Sequence, residues 1–348
     1  MTKFLIVFLG KVRCDPALQT SYFFSPCLTA GNPPYQVSTS SSSAQATPIY
    51  NKFVEQAKSL NPHHLSMITP TRWFSGGMGL DDFRETMLKD SRLSMIVDFA
   101  NAKECFDGIS ISGGVCYFLW SNDYKGACKV VNVSNGKRTE MLRSLNEFPI
   151  LVRYNRAVGV VRKVIQSGDS SIANLVSPIS PFGIPTNIRG RDKQSEEDNY
   201  RLYASTGCTF ISRVEIIKGG EWLEKYKVMV SQTSAEHAGE PSRDGTFRVL
   251  TNSLKAIGVN DVCTHSYLLL GPYNSESESI NCAAYLKTKF VRFLILQALT
   301  SIHLTRSTFI FVPIQDFSKP WTDEELYAKY GLNDEEIAFI ESTIKPLE

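Results

Sequence analysis

Apolar and polar positions in the first 120 residues alternate between strand-like and helix-like stretches. Apolar residues recur at helical spacing from residue 48 to 60 and from 81 to 88, which predicts two amphipathic helices. Short, mainly apolar stretches at 65–69, 93–99 and 115–120 predict buried strands. Because buried strands joined by amphipathic helices are typical of doubly wound folds, we expect a parallel α/β sheet with helices on both faces.

The pattern changes at about residue 125. Short β-branched and aromatic runs, for example at 202–210 and 247–251, predict strands, and a long stretch with one apolar side predicts a helix over 279–299. Two short helices with capping-box patterns are predicted near the end of the chain. We therefore expect an α/β domain over residues 1–125 and a separate α+β domain over residues 126–348.

Length and composition exclude some classes of protein. A chain of 348 residues is long enough for two domains, and its 43% apolar and 21% charged residues exclude a disordered or fibrous protein. The net charge is +2, but nine acidic residues and three lysines from Asp316 onward leave +8 on residues 1–315. A mildly basic body with an acidic end is compatible with nucleic-acid binding, although many unrelated enzymes share it.

The eight cysteines and five histidines do not suggest a metal site, because no C-x-x-C pair occurs and no histidine lies at ligand spacing from a cysteine. Cysteines spread in this way are typical of reduced thiols, so we expect a cytoplasmic protein. The apolar run Phe4–Leu9 has only six residues, which is too short to span a membrane, and no small-residue cleavage site follows it. We expect neither a metal nor a membrane partner.

The tetrapeptide Asn32-Pro33-Pro34-Tyr35 directly follows an apolar run. This position predicts that the tetrapeptide lies at the carboxyl end of a strand, the edge where open α/β sheets bind ligands. Asn-Pro and Pro-Pro also mark ordinary turns, so a purely structural proline turn is the alternative interpretation.

These residue types suit chemistry at the exocyclic amine of adenine, a poor nucleophile because its lone pair is delocalised into the ring. An asparagine side-chain oxygen and a neighbouring backbone carbonyl can accept both amine hydrogens, which favours tetrahedral geometry and frees the lone pair. Prolines stiffen such a loop, and a tyrosine offers a stacking surface worth about 1–3 kcal/mol. A base inside a duplex must first be flipped out, at a cost that stacking can offset.

The tetrapeptide resembles motif IV of the amino-methyltransferases, which transfer a methyl group from S-adenosylmethionine to adenine in DNA. The chain also resembles, over roughly residues 30–348, the adenine-specific enzymes of restriction-modification systems, in particular the TaqI-like type and the fused restriction-modification methylases. The resemblance implies a partial, Rossmann-like methyltransferase sheet followed by a target recognition domain. The stretches that carry it are PIYNKFVEQAKSLNP, LSMITPTRWFSGGMGLDDFR, ECFDGISISGGVCYFLW and FVPIQDFSKPWTDEELYAKYGL.

The resemblance also implies roles for individual residues. It assigns the target amine to the Asn32 side chain and the Pro33 carbonyl, and it assigns base stacking to Tyr35. Pro34 is expected to be structural. In motif VIII of the family a phenylalanine in the loop before the last strands stacks on the flipped base, and Phe106 occupies that place here. A loop aromatic packed into the core is the alternative interpretation of Phe106.

The first 30 residues depart from the family pattern. The family binds S-adenosylmethionine through a glycine-containing loop and an acidic residue, both upstream of motif IV. Only 31 residues precede Asn32, and one βαβ unit alone takes about 30 residues. We therefore expect a truncated or recombined gene whose isolated chain binds the cofactor poorly, and we assign no cofactor-binding residue. The cluster Gly76–Gly79 at a helix start is a weak candidate for holding a phosphate.

The second domain is expected to contact double-stranded DNA. Phosphate contacts are predicted in its most basic stretch, although basic side chains are more often part of a solvated face. The candidates are Arg153, Arg156, Arg162, Lys163, Arg189 and Arg191.

Three hypotheses about function follow. The first is an adenine-specific DNA methyltransferase of a restriction-modification system that acts on the N6 amine. The second is a non-catalytic DNA-binding remnant, or a subunit that needs another chain to supply the cofactor half. The third is a methyltransferase acting on RNA or on a protein glutamine, since the same tetrapeptide serves amides and other amines. The long C-terminal domain and the Phe106 loop favour DNA over the third hypothesis.

Overall fold

The computed structural model of the protein divides into two compact units, Met1–Asn155 (unit 1) and Arg156–Glu348 (unit 2). Every predicted site residue lies in the part of the chain that the structure describes, whereas the apolar run Phe4–Leu9 lies outside it. The described residues are 27–37, 46–106, 108, 111–134, 136–236, 241–242 and 244–347.

The described residues of unit 1 form short strands and two amphipathic helices. The helices are α1, Tyr50–Ser59, and α2, Asp81–Lys89, and each buries its apolar side. The strands are β1 (Leu28–Gly31), β2 (Gln36–Val37), β3 (Thr47–Pro48), β4 (His64–Pro70), β5 (Leu93–Phe99), β6 (Val115–Ser121), β7 (Cys128–Ser134) and β8 (Lys137–Arg143).

Six of these strands form one sheet in the order β1-β4-β6-β5-β7-β8. β1 pairs in parallel with β4, and β5 pairs in parallel with β7. β6 is antiparallel to both of its neighbours, and β8 is antiparallel to β7. The predicted α/β class is confirmed, but the sheet is mixed and not wholly parallel. The tight β7–β8 connection permits only antiparallel pairing, because a parallel crossover needs a dozen or more residues.

Both helices of unit 1 belong to one core cluster, which includes Tyr50 of α1, Phe83 of α2 and Ile96 of β5. A smaller cluster contains Val97, and several of its members, such as Met95, are only partly buried. Successive strand residues point to opposite faces, so the two clusters lie on opposite sides of the sheet. Within the described residues the helices therefore cover one face of the sheet, where a doubly wound sheet would have helices on both.

The boundary between the units differs from the predicted one. Strands β7 and β8 lie beyond residue 125 but complete the sheet of unit 1, and the compact unit ends at Asn155. The predicted division between residues 125 and 126 is corrected accordingly, because the apolar run in β7 is buried against β5 and not in the second unit.

Unit 2 contains five helices and six strands among its described residues. Its strands form two separate three-stranded sheets, in the orders β10-β9-β13 and β12-β11-β14, as expected for an α+β module. The helices are α3 (Val158–Gln166), α4 (Glu276–Lys287), α5 (Lys289–Ala298), α6 (Asp323–Lys329) and α7 (Asp334–Thr343). The strands are β9 (Tyr200–Ala204), β10 (Gly207–Ile211), β11 (Tyr226–Ser231), β12 (Lys255–Ile257), β13 (Asp261–Cys263) and β14 (Tyr267–Tyr273).

Several predicted elements of unit 2 differ in detail. The run 202–210 is an antiparallel hairpin of two strands, and 247–251 forms no strand beyond a single bridge. The predicted helix over 279–299 is interrupted at Thr288, where ψ is 151° and the side-chain oxygen accepts a hydrogen bond from the Val291 amide. Both predicted capping boxes near the chain end, on α6 and α7, are confirmed.

Candidate active site at the carboxyl edge of the sheet

The carboxyl ends of three strands of unit 1 meet at one edge of the sheet. β1, β4 and β5 run in the same direction, so the segments that follow them emerge at the same edge. These segments begin at Asn32, Thr71 and Ala100. The antiparallel β6 starts at this edge, where Val115 pairs with both Pro70 and Phe99. The topology thus brings the tetrapeptide and the Phe106 loop to the edge where such sheets bind ligands.

The tetrapeptide begins directly after Gly31, the last residue of β1. Asn32 is exposed, Pro33 is buried, and both Pro34 and Tyr35 are half-buried. The Tyr35 carbonyl accepts a hydrogen bond of 3.2 Å from the Ile49 amide, and the chain continues into the β2–β3 pair. The loop is therefore held at both ends while the Asn32 side chain stays accessible to a ligand.

The hydroxyl end of the Tyr35 side chain points into the protein interior. Its hydroxyl oxygen is buried without a hydrogen-bond partner, although the residue as a whole is only half-buried. Burial raises the pKa of this hydroxyl far above its usual value, and the neighbouring Cys116 and Cys105 thiols raise it further. The tyrosine therefore stays protonated, and the accessible part of the side chain is its ring.

A group of polar side chains lies beneath the tetrapeptide, and the sequence did not predict it. The Tyr50 hydroxyl, the Trp73 indole nitrogen and the Thr29 hydroxyl are buried, and none of them makes a hydrogen bond of ordinary geometry. Cys116 lies among them, its Sγ 3.5 Å from the Thr69 hydroxyl, and burial raises the pKa of its thiol to about 12. Buried polar groups without a good hydrogen bond are costly and rare, so a group of them at a candidate site calls for an explanation, of which a functional role is one. The available signal was the period-2 burial pattern of β6, which places Cys116 on the helix-covered face.

Phe106 lies in the loop that leaves β5. A short 3₁₀ turn over Ala102–Glu104 starts this loop, and the Phe106 amide donates a 2.8 Å hydrogen bond to the Ala102 carbonyl. The Phe106 side chain is partly buried against the smaller core cluster. Its neighbour Cys105 is close enough to Tyr35 to raise the pKa of the tyrosine hydroxyl. The loop and the tetrapeptide are thus neighbours, and the half-exposed Phe106 ring remains compatible with stacking or with a core role.

Close backbone packing and two hydrogen bonds hold this edge together. Gly114 lies so close to β5 that an added Cβ would be 2.1 Å from the Phe99 carbonyl oxygen, so this position requires glycine. The Thr71 hydroxyl donates to the Gly113 carbonyl at 2.5 Å, and the Thr71 amide donates to the Gly114 carbonyl at 3.2 Å. The segments that follow β4 and precede β6 are therefore joined beside the tetrapeptide.

The cluster Gly76–Gly79 is filled by side chains of the helix that follows it. The Gly77 amide donates to the Asp81 carboxylate at 3.2 Å, and Arg84 donates to the same carboxylate and to the Ser75 carbonyl. An added Cβ on Gly76 would lie 2.0 Å from the Arg84 guanidinium. The Asp81 carboxylate thus occupies the place that an anionic ligand would take, and the structure does not support a phosphate site in this loop.

The predicted phosphate contact at Arg153 is corrected by the structure. Its side chain is only 2% exposed and forms an ion pair with Asp98 inside unit 1. Burial by itself lowers the pKa of the Arg153 guanidinium, but the charge of Asp98 and its hydrogen bonds outweigh burial and hold this pKa above its usual value. A buried guanidinium with a carboxylate partner cannot reach a DNA phosphate, and Arg153 stabilises unit 1 instead.

The other basic candidates lie in unit 2. They differ in whether an acidic side chain of the protein already forms an ion pair with them. Lys163 forms an ion pair with Glu336, and Arg191 pairs with both Glu215 and Asp198. Arg156 lies over the Phe339 ring, with 4.2 Å between its guanidinium carbon and the ring centroid. Arg162 is exposed on α3, and Arg189 is exposed and hydrogen-bonded to the Thr186 carbonyl.

The described residues offer little for a metal or for the methyl donor. No group of three or more His, Cys, Asp or Glu side chains in the described ranges is arranged to hold a metal ion. Cys27 is the one described residue before β1, and no residue is assigned to S-adenosylmethionine. None of the helices that the structure describes combines the length and apolar character needed to cross a membrane.

Comparison with known proteins connects this edge to one enzyme family. Residues 29–106, which include the tetrapeptide and the Phe106 loop, match the family model of the Eco57I restriction-modification methylases. An uncharacterized adenine-specific methylase of Mycoplasma pneumoniae is 35% identical over 141 residues, which cover 39% of this chain and 33% of that protein. The match therefore spans about a third of the length of the curated relative.

Two solved structures align with most of this chain at low sequence identity. The type IIG restriction endonuclease BpuSI has 12% identity and a TM-score of 0.30, with 84% of this chain and 45% of that chain covered. The type IIL restriction-modification enzyme MmeI, solved in complex with DNA, has 9% identity and a TM-score of 0.47, with 82% and 46% covered. Residues 29–106 are thus similar to the Eco57I restriction-modification methylases, and a stretch of 141 residues is similar to an adenine-specific methylase.

Proposed function

We propose that this chain is the target-binding part of an adenine-specific DNA methyltransferase of a restriction-modification system, which methylates the N6 amine of adenine. One observation carries the proposal: Asn32-Pro33-Pro34-Tyr35 begins directly after β1 at the carboxyl edge of the sheet, inside the segment that matches the methylase family. Unit 2 is then the target recognition unit, and double-stranded DNA is the substrate.

The chemistry assigned to Asn32 and Pro33 concerns the amine of a flipped adenine. The exposed Asn32 side-chain oxygen and the Pro33 backbone carbonyl accept the two amine hydrogens. Both bonds strengthen as the nitrogen becomes tetrahedral, so they stabilise the transition state more than the ground state. Burial of Pro33 and the bond between the Tyr35 carbonyl and the Ile49 amide fix the direction of the accepting groups.

Tyr35 and Phe106 are assigned to the faces of the flipped base. Tyr35 has a buried hydroxyl and a half-exposed ring, which is the arrangement that a stacking surface requires. Phe106 lies in the neighbouring loop and is also half-exposed. Stacking on aromatic rings contributes about 1–3 kcal/mol per base and offsets the cost of flipping.

S-adenosylmethionine is the proposed methyl donor, and the described residues contain no site that fits it. The strand–loop–helix units that would hold it must come from elsewhere, and we assign them to a partner polypeptide or to residues outside the described ranges. A DNA-binding remnant or a subunit without its own catalysis is the second candidate function, and the similarity of residues 29–106 to a restriction-modification family favours DNA over the RNA and protein-glutamine alternatives.

Binding of an unpaired adenine tests the proposal without the methyl donor. Fluorescence anisotropy would compare a paired duplex with duplexes that present an orphan adenine or an orphan purine lacking the amine. We expect the tightest binding for the orphan adenine, because the flipping cost of a few kcal/mol is already met. Asn32→Ala should remove the preference for adenine over the amine-free purine.

Two matched variants define the role of Tyr35 in the same assay. Tyr35→Phe keeps the ring and should retain the preference for the orphan adenine, whereas Tyr35→Ala should lose it. Equal affinity of the folded wild-type chain for all three duplexes would contradict the proposed role of this edge. Absence of duplex binding at low salt would contradict the assignment of DNA as the substrate.

A further inference from the structure

A cleft of about 310 Å³ opens on unit 2, lined by Ser180, Gly183, Pro185, Thr186 and His265. Its walls carry two hydroxyl groups and an imidazole, which can act as hydrogen-bond donors or acceptors. No role proposed so far uses this cleft.

The backbone around the cleft is held in a defined shape. Ser180 and Gly183 both have positive φ, 56° and 71°, and the Gly183 amide donates to the Ser180 carbonyl at 3.1 Å. The His265 amide donates to the Ile184 carbonyl at 2.9 Å, which fixes the imidazole-bearing segment against the same turn. These backbone hydrogen bonds hold in place the segments that carry the polar side chains of the cleft. They do so even though His265 is distant from the turn in sequence.

Two cationic side chains without carboxylate partners lie beside the cleft. Arg189 donates to the Thr186 carbonyl at 2.7 Å, and the Lys218 side chain is 3.5 Å from the position of a Cβ on Gly183. Neither forms an ion pair with another residue in the described ranges, in contrast to Arg191, which pairs with Glu215. Exposed cations that are not neutralised within the protein are available to phosphates.

Large apolar side chains are exposed on the same segments. Ile217 is 76% exposed and packs beside Gly183, Val214 is 88% exposed, and Ile179, next to Ser180, is 44% exposed. Exposed apolar groups that cluster are typical of contact surfaces. Together with the cleft they form what we call the cleft surface, made of residues 179–189, 213–218 and His265.

We propose that the cleft surface reads the sequence of double-stranded DNA. Arg189 and Lys218 bind phosphates, the hydroxyl and imidazole groups of the cleft contact base edges, and Ile217 contacts a thymine methyl group, since apolar side chains recognise that group in the major groove. The proposal rests on the proposed function and names the specificity surface of unit 2. Unneutralised cations beside preorganised polar groups favour DNA over a protein partner.

Salt dependence of DNA affinity tests the phosphate contacts. Each lost contact should reduce the slope of log affinity against log salt by about 0.9 in magnitude. We expect this change for Arg189→Gln and for Lys218→Gln, and about twice the change for the double variant. The control is Lys319→Gln, which removes one charge elsewhere on unit 2, where Lys319 pairs with Glu325, and should leave the slope unchanged.

Selection from a randomised duplex library tests the base contacts. Thr186→Val, His265→Ala and Ile217→Ser should each relax discrimination at one or two base pairs by about 5- to 150-fold, with the rest of the site unchanged. Thermal melts of each variant establish that it is folded. Loss of discrimination at single positions in a folded variant supports a reading role and not a structural one.

The outcomes separate this inference from the proposed function. If the wild type binds DNA but the Arg189 and Lys218 variants keep the wild-type slope of log affinity against log salt, the cleft surface does not read DNA. That result contradicts this inference and leaves the proposed function intact. If Ile217→Glu abolishes self-association or partner binding and leaves DNA affinity intact, the surface is a protein interface and the inference is again overturned. If the wild type binds no duplex at low salt, the proposed function falls as well.

Discussion

Arg153 donates hydrogen bonds from Nε and Nη2 to both carboxylate oxygens of Asp98, at 2.8 and 2.7 Å, in the interior of unit 1. Asn132 strengthens the pair by donating to Asp98 at 3.3 Å and to the Arg153 carbonyl at 2.9 Å. This network connects β5 and β7 to the segment that ends unit 1, next to residues that were predicted to contact DNA. It shows why a basic stretch in a sequence cannot be taken as a continuous binding surface.

Breaking this pair should destabilise the protein. Arg153→Met and Asp98→Asn should each lower the free energy of unfolding by about 3–5 kcal/mol, because each leaves a buried partner unpaired. The double variant Asp98→Leu/Arg153→Met should recover most of the loss, since it removes both charges. Urea unfolding measures all three, with Arg156→Gln on the exposed neighbour as a control. Single variants as stable as the wild type would contradict the structural role of the pair.

The buried side chain of Lys227 should give the stability of the protein an unusual dependence on pH. Its ammonium group is fully buried and donates to the carbonyls of Trp222, Lys225 and Gly258, and burial lowers its pKa from 10.5 to about 8. Between pH 8 and 10.5 the unfolded chain binds more protons than the folded one, so this group makes stability rise with pH. The contribution is about 3 kcal/mol at most.

A comparison of variants isolates the Lys227 contribution, because buried tyrosines and cysteines titrate in the same range with the opposite sign. The difference in unfolding free energy between the wild type and Lys227→Met should shift in favour of the wild type as pH rises from 8 to 10. Urea titrations at four pH values measure this difference. A difference that stays constant would show that Lys227 titrates at its ordinary value in the folded protein.

Phe106 should contribute to binding more than to stability if it stacks on the target base. Phe106→Ala should weaken binding of an orphan-adenine duplex by about 1–3 kcal/mol. Phe106→Leu keeps the apolar contacts with the core cluster but removes the aromatic face, so it should also bind weakly while melting at the wild-type temperature. A Phe106→Leu variant that binds like the wild type would favour the core interpretation of this residue.

The 348-residue chain should bind S-adenosylmethionine poorly by itself. Small-ligand affinity depends on an enclosing pocket with a few placed polar groups. The glycine loop at residues 76–79 is filled by Asp81 and Arg84. Isothermal titration calorimetry would measure the affinity. Micromolar binding by the monomer would show that residues outside the described ranges build a cofactor site.

Local sequence patterns were sufficient to predict the elements that depend mainly on residues close together in the chain. The strand Leu93–Phe99 has the predicted bounds, and α2 and both terminal capping boxes lie where periodicity and cap residues indicated. The order and direction of strands depend on distant partners, so the position of β6 between β4 and β5 could not be read from its own pattern.

The candidate site could be predicted only as far as its motif extends along the chain. The Asn32–Tyr35 segment was visible because its four residues are contiguous and follow an apolar run. Arg153 looks like any exposed arginine until its partner Asp98, 55 residues away, is brought beside it. The polar group around Cys116 and the cleft at His265 are likewise assembled by tertiary structure from segments that are distant in sequence.

The most direct test of the central claim is the adenine methylation of DNA in the organism that carries this chain, with Asn32→Ala introduced at the chromosomal locus. This design holds whether the cofactor half lies in the same polypeptide or in a partner. Mass spectrometry of nucleosides and sequencing of methylated sites would compare that strain with the wild type and with a Lys52→Gln strain, altered at an exposed residue of α1. The account predicts loss of N6-methyladenine at one sequence motif in the Asn32→Ala strain alone. An unchanged methylation pattern, with the variant protein present at the wild-type level, would contradict it.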